Sequence, residues 1–183
     1  MKNYVKWLLG FTAFILLLLG AALAYTKLSL NYEKEKQSGA QETSQQVIDF
    51  TMLNTEGETV AFSELLGKPV ILNFWATWCG PCQSEMPHIQ EAYEQYGGDI
   101  NFVLVNLTDG KRETIDGVKS FIEENGYTVP VYFDTEMKGA YSYGAYSIPL
   151  TYFMDAQGAV VSGRLGAMTR EDLFNQIQVL LNQ

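Results

Sequence analysis

A chain of 183 residues with 12 Lys+Arg against 21 Asp+Glu, a formal net charge of −9 and 47% hydrophobic residues allows one ordinary domain plus an appendage. That acidity argues against nucleic acid as a partner. Two cysteines and one histidine exclude a disulfide-stapled scaffold and fall short of the about four ligands a structural zinc or iron–sulfur site needs.

Residues 8–25 form an uncharged, largely apolar run behind Lys2 and Lys6, the pattern of a spanning helix or of a signal-peptide core. Either one sends the remaining chain out of the cytoplasm. Ala22-Leu23-Ala24 offers a small-residue cleavage pattern, but the run is longer than a usual signal-peptide core. Residues 1–30 therefore read as an uncleaved transmembrane signal-anchor, and the chain as a single-pass protein of the cell membrane with its catalytic domain on the extracytoplasmic side. Residues 31–46 are rich in Glu, Lys, Gln and Ser and have almost nothing to bury, so they read as a flexible linker. Residues 47–183 are the folded domain. From Gln37 onward 7 basic residues stand against 19 acidic ones, a net charge of −12, which is a solvated surface and disfavours contact with anionic headgroups.

Residues 47–52, the turn Asn54-Thr55-Glu56-Gly57 and residues 59–62 read as a β-hairpin, with Ser63 placed to cap a helical turn over 64–66. Residues 70–75 are almost continuously apolar and read as a strand buried on both faces. That strand runs into Cys79-Gly80-Pro81-Cys82, which holds both cysteines of the chain in one four-residue window. Such spacing suits a local, exchangeable disulfide. As a purely structural link it closes too short a loop to restrain the unfolded chain much. Haem attachment of the c type requires His directly after the second Cys, and Gln83 stands there.

Beyond the pair, Met86, Ile89, Ala92, Tyr93 and Tyr96 recur at helical spacing, so a helix is expected from about residue 79 to 96, ending at Gly97-Gly98. Cys79 then lies at its start, where unpaired amides favour thiolate over thiol. Cys82 lies a turn deeper, suited to resolving a mixed disulfide. Glu85 is one turn further on, within reach of carboxylate-to-thiol proton transfer, although the same spacing also fits an ordinary exposed helix glutamate. His88, the one histidine of the chain, reads as a surface residue of this helix.

Residues 100–107 read as the next buried strand, 108–113 as a polar loop, and 114–126 as a helix with Val118, Phe121 and Ile122 inward. A short strand follows at 131–134. Residues 136–146 are short-helical or irregular, with Tyr141, Tyr143 and Tyr146 either packed or lining the approach to the cysteines. A strand over 147–155 opens with Ile148-Pro149 and pairs through the turn 155–158 with residues 160–165. Thr169 caps a last helix with Leu173, Phe174, Ile177, Leu180 and Leu181 toward the sheet. Strands alternating with helices imply a largely parallel sheet covered on both faces.

Trp78-Cys79-Gly80-Pro81-Cys82 after a buried strand resembles the active site of thioredoxin. The wider frame, Phe74-Trp75-Ala76-Thr77-Trp78-Cys79 through Glu85-Met86-Pro87, is similar to the membrane-anchored thiol-disulfide oxidoreductases of the ResA/TlpA type, and the order of elements agrees over roughly 47–181. The resemblance implies an α/β, thioredoxin-like fold: a central mixed sheet flanked by helices, with an N-terminal β-hairpin and a central strand-helix insertion. It implies Cys79 and Cys82 as the redox-active disulfide and Glu85 as a catalytic neighbour. Trp75, Trp78, Gly80, Pro81, Ile148 and Pro149 are then the substrate-binding set, with Ile148–Pro149 cis and the Ile148 backbone free to pair with an extended substrate. One position departs: cytosolic thioredoxins carry a buried, proton-relaying aspartate six residues before the first cysteine, and this chain has Asn73, which does not titrate.

The implied task is reduction of protein disulfides, such as that of apocytochrome c before haem attachment, by a monomer fed from a polytopic membrane dithiol donor. No cofactor or metal is expected. Two other classes stay open. A thiol peroxidase of the AhpC/TSA kind uses a Pro-x-x-x-Thr/Ser-x-x-Cys frame, which Ala76-Thr77-Trp78-Cys79 does not match. A non-catalytic chaperone or metal-delivery module of related fold spaces its cysteines four apart and adds a distal His, whereas these are three apart and no histidine follows His88.

Overall fold

The structure is a computed structural model in which residues 20, 25–27 and 47–182 are described. The chain divides into two units, Met1–Ser44 and Gln45–Gln183. In the first, Gly20 and Tyr25 to Lys27 are helical, and most of the expected anchor and all of the linker lie outside the described residues. Among the described residues no helix is long and apolar enough to cross a membrane.

The second unit is built on seven strands: β1 Thr51–Leu53, β2 Thr59–Ala61, β3 Val70–Trp75, β4 Asn101–Asn106, β5 Val131–Phe133, β6 Leu150–Met154 and β7 Val160–Leu165. They form one sheet in the order β2-β1-β5-β4-β3-β6-β7. Helices α1 Gly80–Tyr96, α2 Ile115–Glu124, α3 Lys138–Ser142 and α4 Arg170–Leu181 complete the α/β arrangement. Parallel pairing joins β3 to β4 and β4 to β5, the two steps that pass through α1 and α2. The hairpins β1–β2 and β6–β7 are antiparallel, as are the pairs β1–β5 and β3–β6. The sheet is therefore mixed, as the resemblance implied, and the parallel pairing that alternating strands and helices predict is confined to β3–β4 and β4–β5.

β3 is buried at every position, and its alternation separates two cores. Val70, Leu72 and Phe74 face a cluster with Phe50, Phe62, Val103 and Tyr143, in which the Phe50 and Phe62 rings stack 5.4 Å apart. Ile71 and Trp75 face the other, with Met86, Ile89, Val118, Leu173 and Ile177. Asn73 falls on the Ile71 and Trp75 side. This alternation aims the one polar residue of β3 toward α1, and the consequence appears at the site below.

Local signals explain most boundaries. Gly57, at φ +83°, takes the left-handed position of the β1–β2 turn, while the Asn54 side chain accepts the Glu56 and Glu58 N–H groups. The Thr114 hydroxyl caps α2, and Thr169 forms a reciprocal capping box with Asp172 on α4. Three expectations need correction. Ser63 lies inside the 3₁₀ turn Phe62–Leu65 instead of capping it, and its N–H and hydroxyl donate to the Asp49 carboxylate at 2.9 and 2.8 Å. The first strand is shorter than the predicted 47–52, because β1 begins at Thr51. Leu181 points outward, since α4 buries Leu173, Ile177 and Leu180 along one stripe. Among the tyrosines, Tyr143 is core, whereas Tyr141 and Tyr146 are exposed with rings 6.4 Å apart.

Candidate active site

β3 ends at Trp75, and the turn Ala76 to Cys79 is closed by a Cys79 N–H to Ala76 carbonyl bond of 3.2 Å. Cys79 is the N-cap of α1, with Pro81 in the first turn, where its missing N–H costs nothing. The Cys82 N–H donates to Cys79 Sγ at 3.2 Å, and the two sulfurs are joined as a disulfide. Cys79 keeps 5% of its surface and Cys82 none. When the pair is reduced, the amide on Cys79 Sγ and the open end of the helix stabilise a thiolate there.

The opposite wall is the start of β6. The Ile148–Pro149 bond is cis, as expected, and the Ile148 carbonyl oxygen lies 3.7 Å from Cys79 Sγ. Pro149 is buried and Ile148 half-buried. The Pro149 carbonyl accepts the Gly166 N–H at 2.8 Å, which ties this wall to the end of β7.

Glu85 is not an exposed helix residue: it keeps 1% of its surface. Asn73 Nδ2 donates to its Oε1 at 2.9 Å and the Met168 N–H to its Oε2 at 3.1 Å. Burial pushes its carboxyl up to about 7, and those two hydrogen bonds pull only partly the other way. Asn73 Nδ2 also donates to Thr151 Oγ1 at 2.8 Å, its register partner on β6. The amide at the position of the thioredoxin aspartate thus orients a carboxyl that burial raises toward neutrality.

The remaining predicted residues divide by exposure. Trp78 is 42% exposed, and Gly80 and Pro81 lie at the surface beside Cys79. Trp75 is wholly buried against Phe121, with ring centroids 5.8 Å apart, so it braces the site from behind and presents no surface to a substrate. Strand alternation explains the difference, because Trp75 shares the face of Ile71. His88 is half-buried on α1.

Three residues that sequence reasoning missed converge on the turn before Cys79. Glu113 accepts the Thr77 N–H at 2.6 Å and the Thr77 hydroxyl at 2.7 Å. Gln83 Nε2 donates to the Thr77 carbonyl. The Arg112 guanidinium lies 3.8 Å above the Trp78 ring. The predicted polar loop 108–113 is therefore part of the site. Among the described residues no group of three or more His, Cys, Asp or Glu side chains is placed to hold a metal ion.

Residues 43–162 match the model of the AhpC/TSA family. Thiol-disulfide oxidoreductase ResA of Geobacillus thermodenitrificans is 35% identical over 165 residues, covering 90% of this chain and 91% of that protein. The chain belongs to the AhpC/TSA family. Similarity also reaches nearly full length: thioredoxin-like protein YneN of Bacillus subtilis is 33% identical over 95% of this chain and 98% of its own length. Among solved structures, StoA of Bacillus subtilis superposes with a TM-score of 0.62 at 29% identity, covering 70% of this chain and 96% of that one. The exposed lipoprotein thioredoxin Etrx1 of Streptococcus pneumoniae gives 0.63 at 29% identity over 74% and 99%. The chain is a thiol-disulfide oxidoreductase of thioredoxin-like fold.

Proposed function

We propose that this chain is a membrane-anchored reductase of protein disulfides working outside the cytoplasm. Residues 1–30 are the transmembrane signal-anchor, 31–46 the tether and 47–183 the catalytic domain. The Cys79 thiolate attacks one sulfur of a client disulfide, the other client sulfur leaves as thiolate, and a mixed disulfide forms. Cys82 then gives its proton to the Glu85 carboxylate and attacks Cys79 Sγ. The second client thiolate leaves, the Cys79–Cys82 disulfide closes, and two electrons have passed to the client. A polytopic membrane dithiol donor returns them.

The observation that carries this most is the position of Cys79: capping α1, with the Cys82 N–H on its sulfur and the Ile148 carbonyl 3.7 Å away. An extended client segment pairs with the Ile148 backbone as an added strand, flanked by Trp78, Gly80, Pro81 and Pro149. The direction follows from the Cys-Gly-Pro-Cys pair, which it shares with thioredoxin, a reductant near about −270 mV. A disulfide in apocytochrome c is the client proposed.

The test is a trap. Cys82→Ser, mixed with a disulfide-bonded apocytochrome peptide, accumulates a covalent adduct through Cys79, while the reduced wild-type chain returns the peptide as free dithiol. No adduct and an intact peptide disulfide would exclude this function. The AhpC/TSA match favours one second function, thiol peroxidase, and rapid consumption of hydrogen peroxide by the reduced chain would establish it.

A further inference from the structure

Thr77, two residues before Cys79, has all of its polar atoms engaged. Its N–H and hydroxyl donate to the two oxygens of Glu113, at 2.6 and 2.7 Å, and its carbonyl accepts from Gln83. Glu113 comes from the loop 36 residues further along the chain and keeps 1% of its surface. Its Oε1 also accepts Asn106 Nδ2 at 2.6 Å, and Asn106 Oδ1 in turn accepts the Thr108 hydroxyl at 2.7 Å. Asn106 is the last residue of β4 and the register partner of Trp75.

A carboxyl group is costly to bury, and its hydrogen bonds here come from neutral donors. They converge on two points: the end of the central strand β4 and the turn that delivers Cys79. The loop itself is held to this shape by Asp109, whose Oδ1 accepts the N–H groups of Lys111, Arg112 and Glu113. The clamp therefore joins a central strand, paired on both sides, to the residue whose dihedrals set the direction of the chain into Trp78 and Cys79.

We infer that Glu113 is a positioning residue for the attacking thiol. By pinning Thr77 at N–H and hydroxyl it fixes Cys79 Sγ relative to the Cys82 amide and the Ile148 carbonyl. This rests on Cys79 being the attacking cysteine, as proposed above. Glu113 touches neither sulfur in this scheme and acts through placement. Its shape matters and its charge does not. A glutamine there keeps the pattern, since its oxygen accepts the two N–H groups and its amide donates to the Thr77 hydroxyl oxygen.

The full chain in mild detergent, pre-reduced with dithiothreitol and desalted, is mixed with insulin as the disulfide probe. Glu113→Ala reduces it about 10- to 100-fold more slowly, the scale set by misplacing a reacting group by about an ångström. Glu113→Gln restores the rate to within about twofold, a rescue that separates placement from charge. Thr77→Val, which removes only the hydroxyl contact, slows reduction by about threefold and decides the matter if Glu113→Ala does not fold. A folded Glu113→Ala at the wild-type rate, Thr77→Val at the wild-type rate, or Glu113→Gln as slow as Glu113→Ala would each overturn the inference. Cys79→Ser runs alongside: if it still reduces insulin at the wild-type rate, the assignment of Cys79 fails. If it is inactive while Glu113→Ala is not, only the positioning role fails.

Discussion

Two glutamates are buried on either side of the cysteine pair, and they are built differently. Glu85 accepts two hydrogen bonds, at 2.9 and 3.1 Å, and burial carries its carboxyl up to about 7. Glu113 accepts three, at 2.6 to 2.7 Å, two of them from a single residue. Burial alone does not give a carboxyl a task; the number and origin of its donors do. Glu85 sits one turn beyond Cys82 with few donors, a group suited to exchanging a proton. Glu113 has both oxygens committed to the turn before Cys79 and is suited to holding it.

The sharpest way to break this contrast is to remove the proton-exchanging carboxyl while keeping its shape. Glu85→Gln slows resolution of the mixed disulfide by about 100-fold, the lower end for a positioned acid–base group. In the wild-type chain the resolution rate rises with pH through about 7, as Glu85 becomes the carboxylate that receives the Cys82 proton. Stopped-flow release of the reduced client across pH 5.5 to 8.5, a window of roughly 1.5 units either side of that inflection, shows the rise in wild type and not in the variant. An inflection that survives in Glu85→Gln assigns the proton to another group.

The next effect is on stability, and its sign follows from the direction of the shift. The Glu85 carboxyl goes from 4.5 in its ordinary state to about 7 when folded, so between those values the native chain binds the proton more tightly than the unfolded one. Stability from this group is therefore highest below pH 4.5 and falls as pH rises, by up to about 3 kcal/mol, with little change above 7. Glu85→Gln lacks that loss. Urea unfolding of both chains at a series of pH values yields a stability difference that grows in favour of the variant up to about pH 7. A difference independent of pH contradicts the raised carboxyl.

The smallest effect belongs to Arg112, which stands next to Glu113 in sequence but reaches the exposed side of the turn. Its guanidinium over Trp78 contributes about 0.5–1 kcal/mol at an exposed site. Arg112→Ala therefore slows insulin reduction by only about two- to fivefold, mostly in KM, and quenching of Trp78 fluorescence by acrylamide increases. A loss as large as that expected for Glu113→Ala would mean that the loop acts as one unit and that the two roles are not separable.

Sequence reasoning reached the parts of this site whose signals are local. The apolar run of β3, the helical spacing after Cys82 and the proline opening β6 each carry their structure within a few residues. Helix spacing placed Glu85 one turn beyond Cys82 but fitted an exposed glutamate equally well, and the family resemblance singled it out; its burial against Asn73 and Met168 depends on contacts that spacing does not record. Glu113 and Arg112 were missed, since their contacts with Thr77 and Trp78 join a polar loop to a turn far away in sequence, and no periodicity records such a pairing. Trp75 was assigned to the groove because of its neighbours in the motif, yet the period-two alternation of β3 turns it into the core with Ile71. Alternation of strands and helices accounts for the parallel β3–β5 centre, while the mixed sheet, in which β1–β5 and β3–β6 are antiparallel, came from the family resemblance and not from the pattern.

The most direct measurement of the central claim is the reduction potential of the Cys79–Cys82 pair. The full chain is equilibrated against dithiothreitol and glutathione buffers and followed by tryptophan fluorescence. A value near about −270 mV, well below an oxidising compartment at about −180 to −210 mV, is the result for a reductase that must be supplied with electrons. A value near about −120 mV, that of a strong oxidant, contradicts it: the pair would then make disulfides in its clients instead of breaking them.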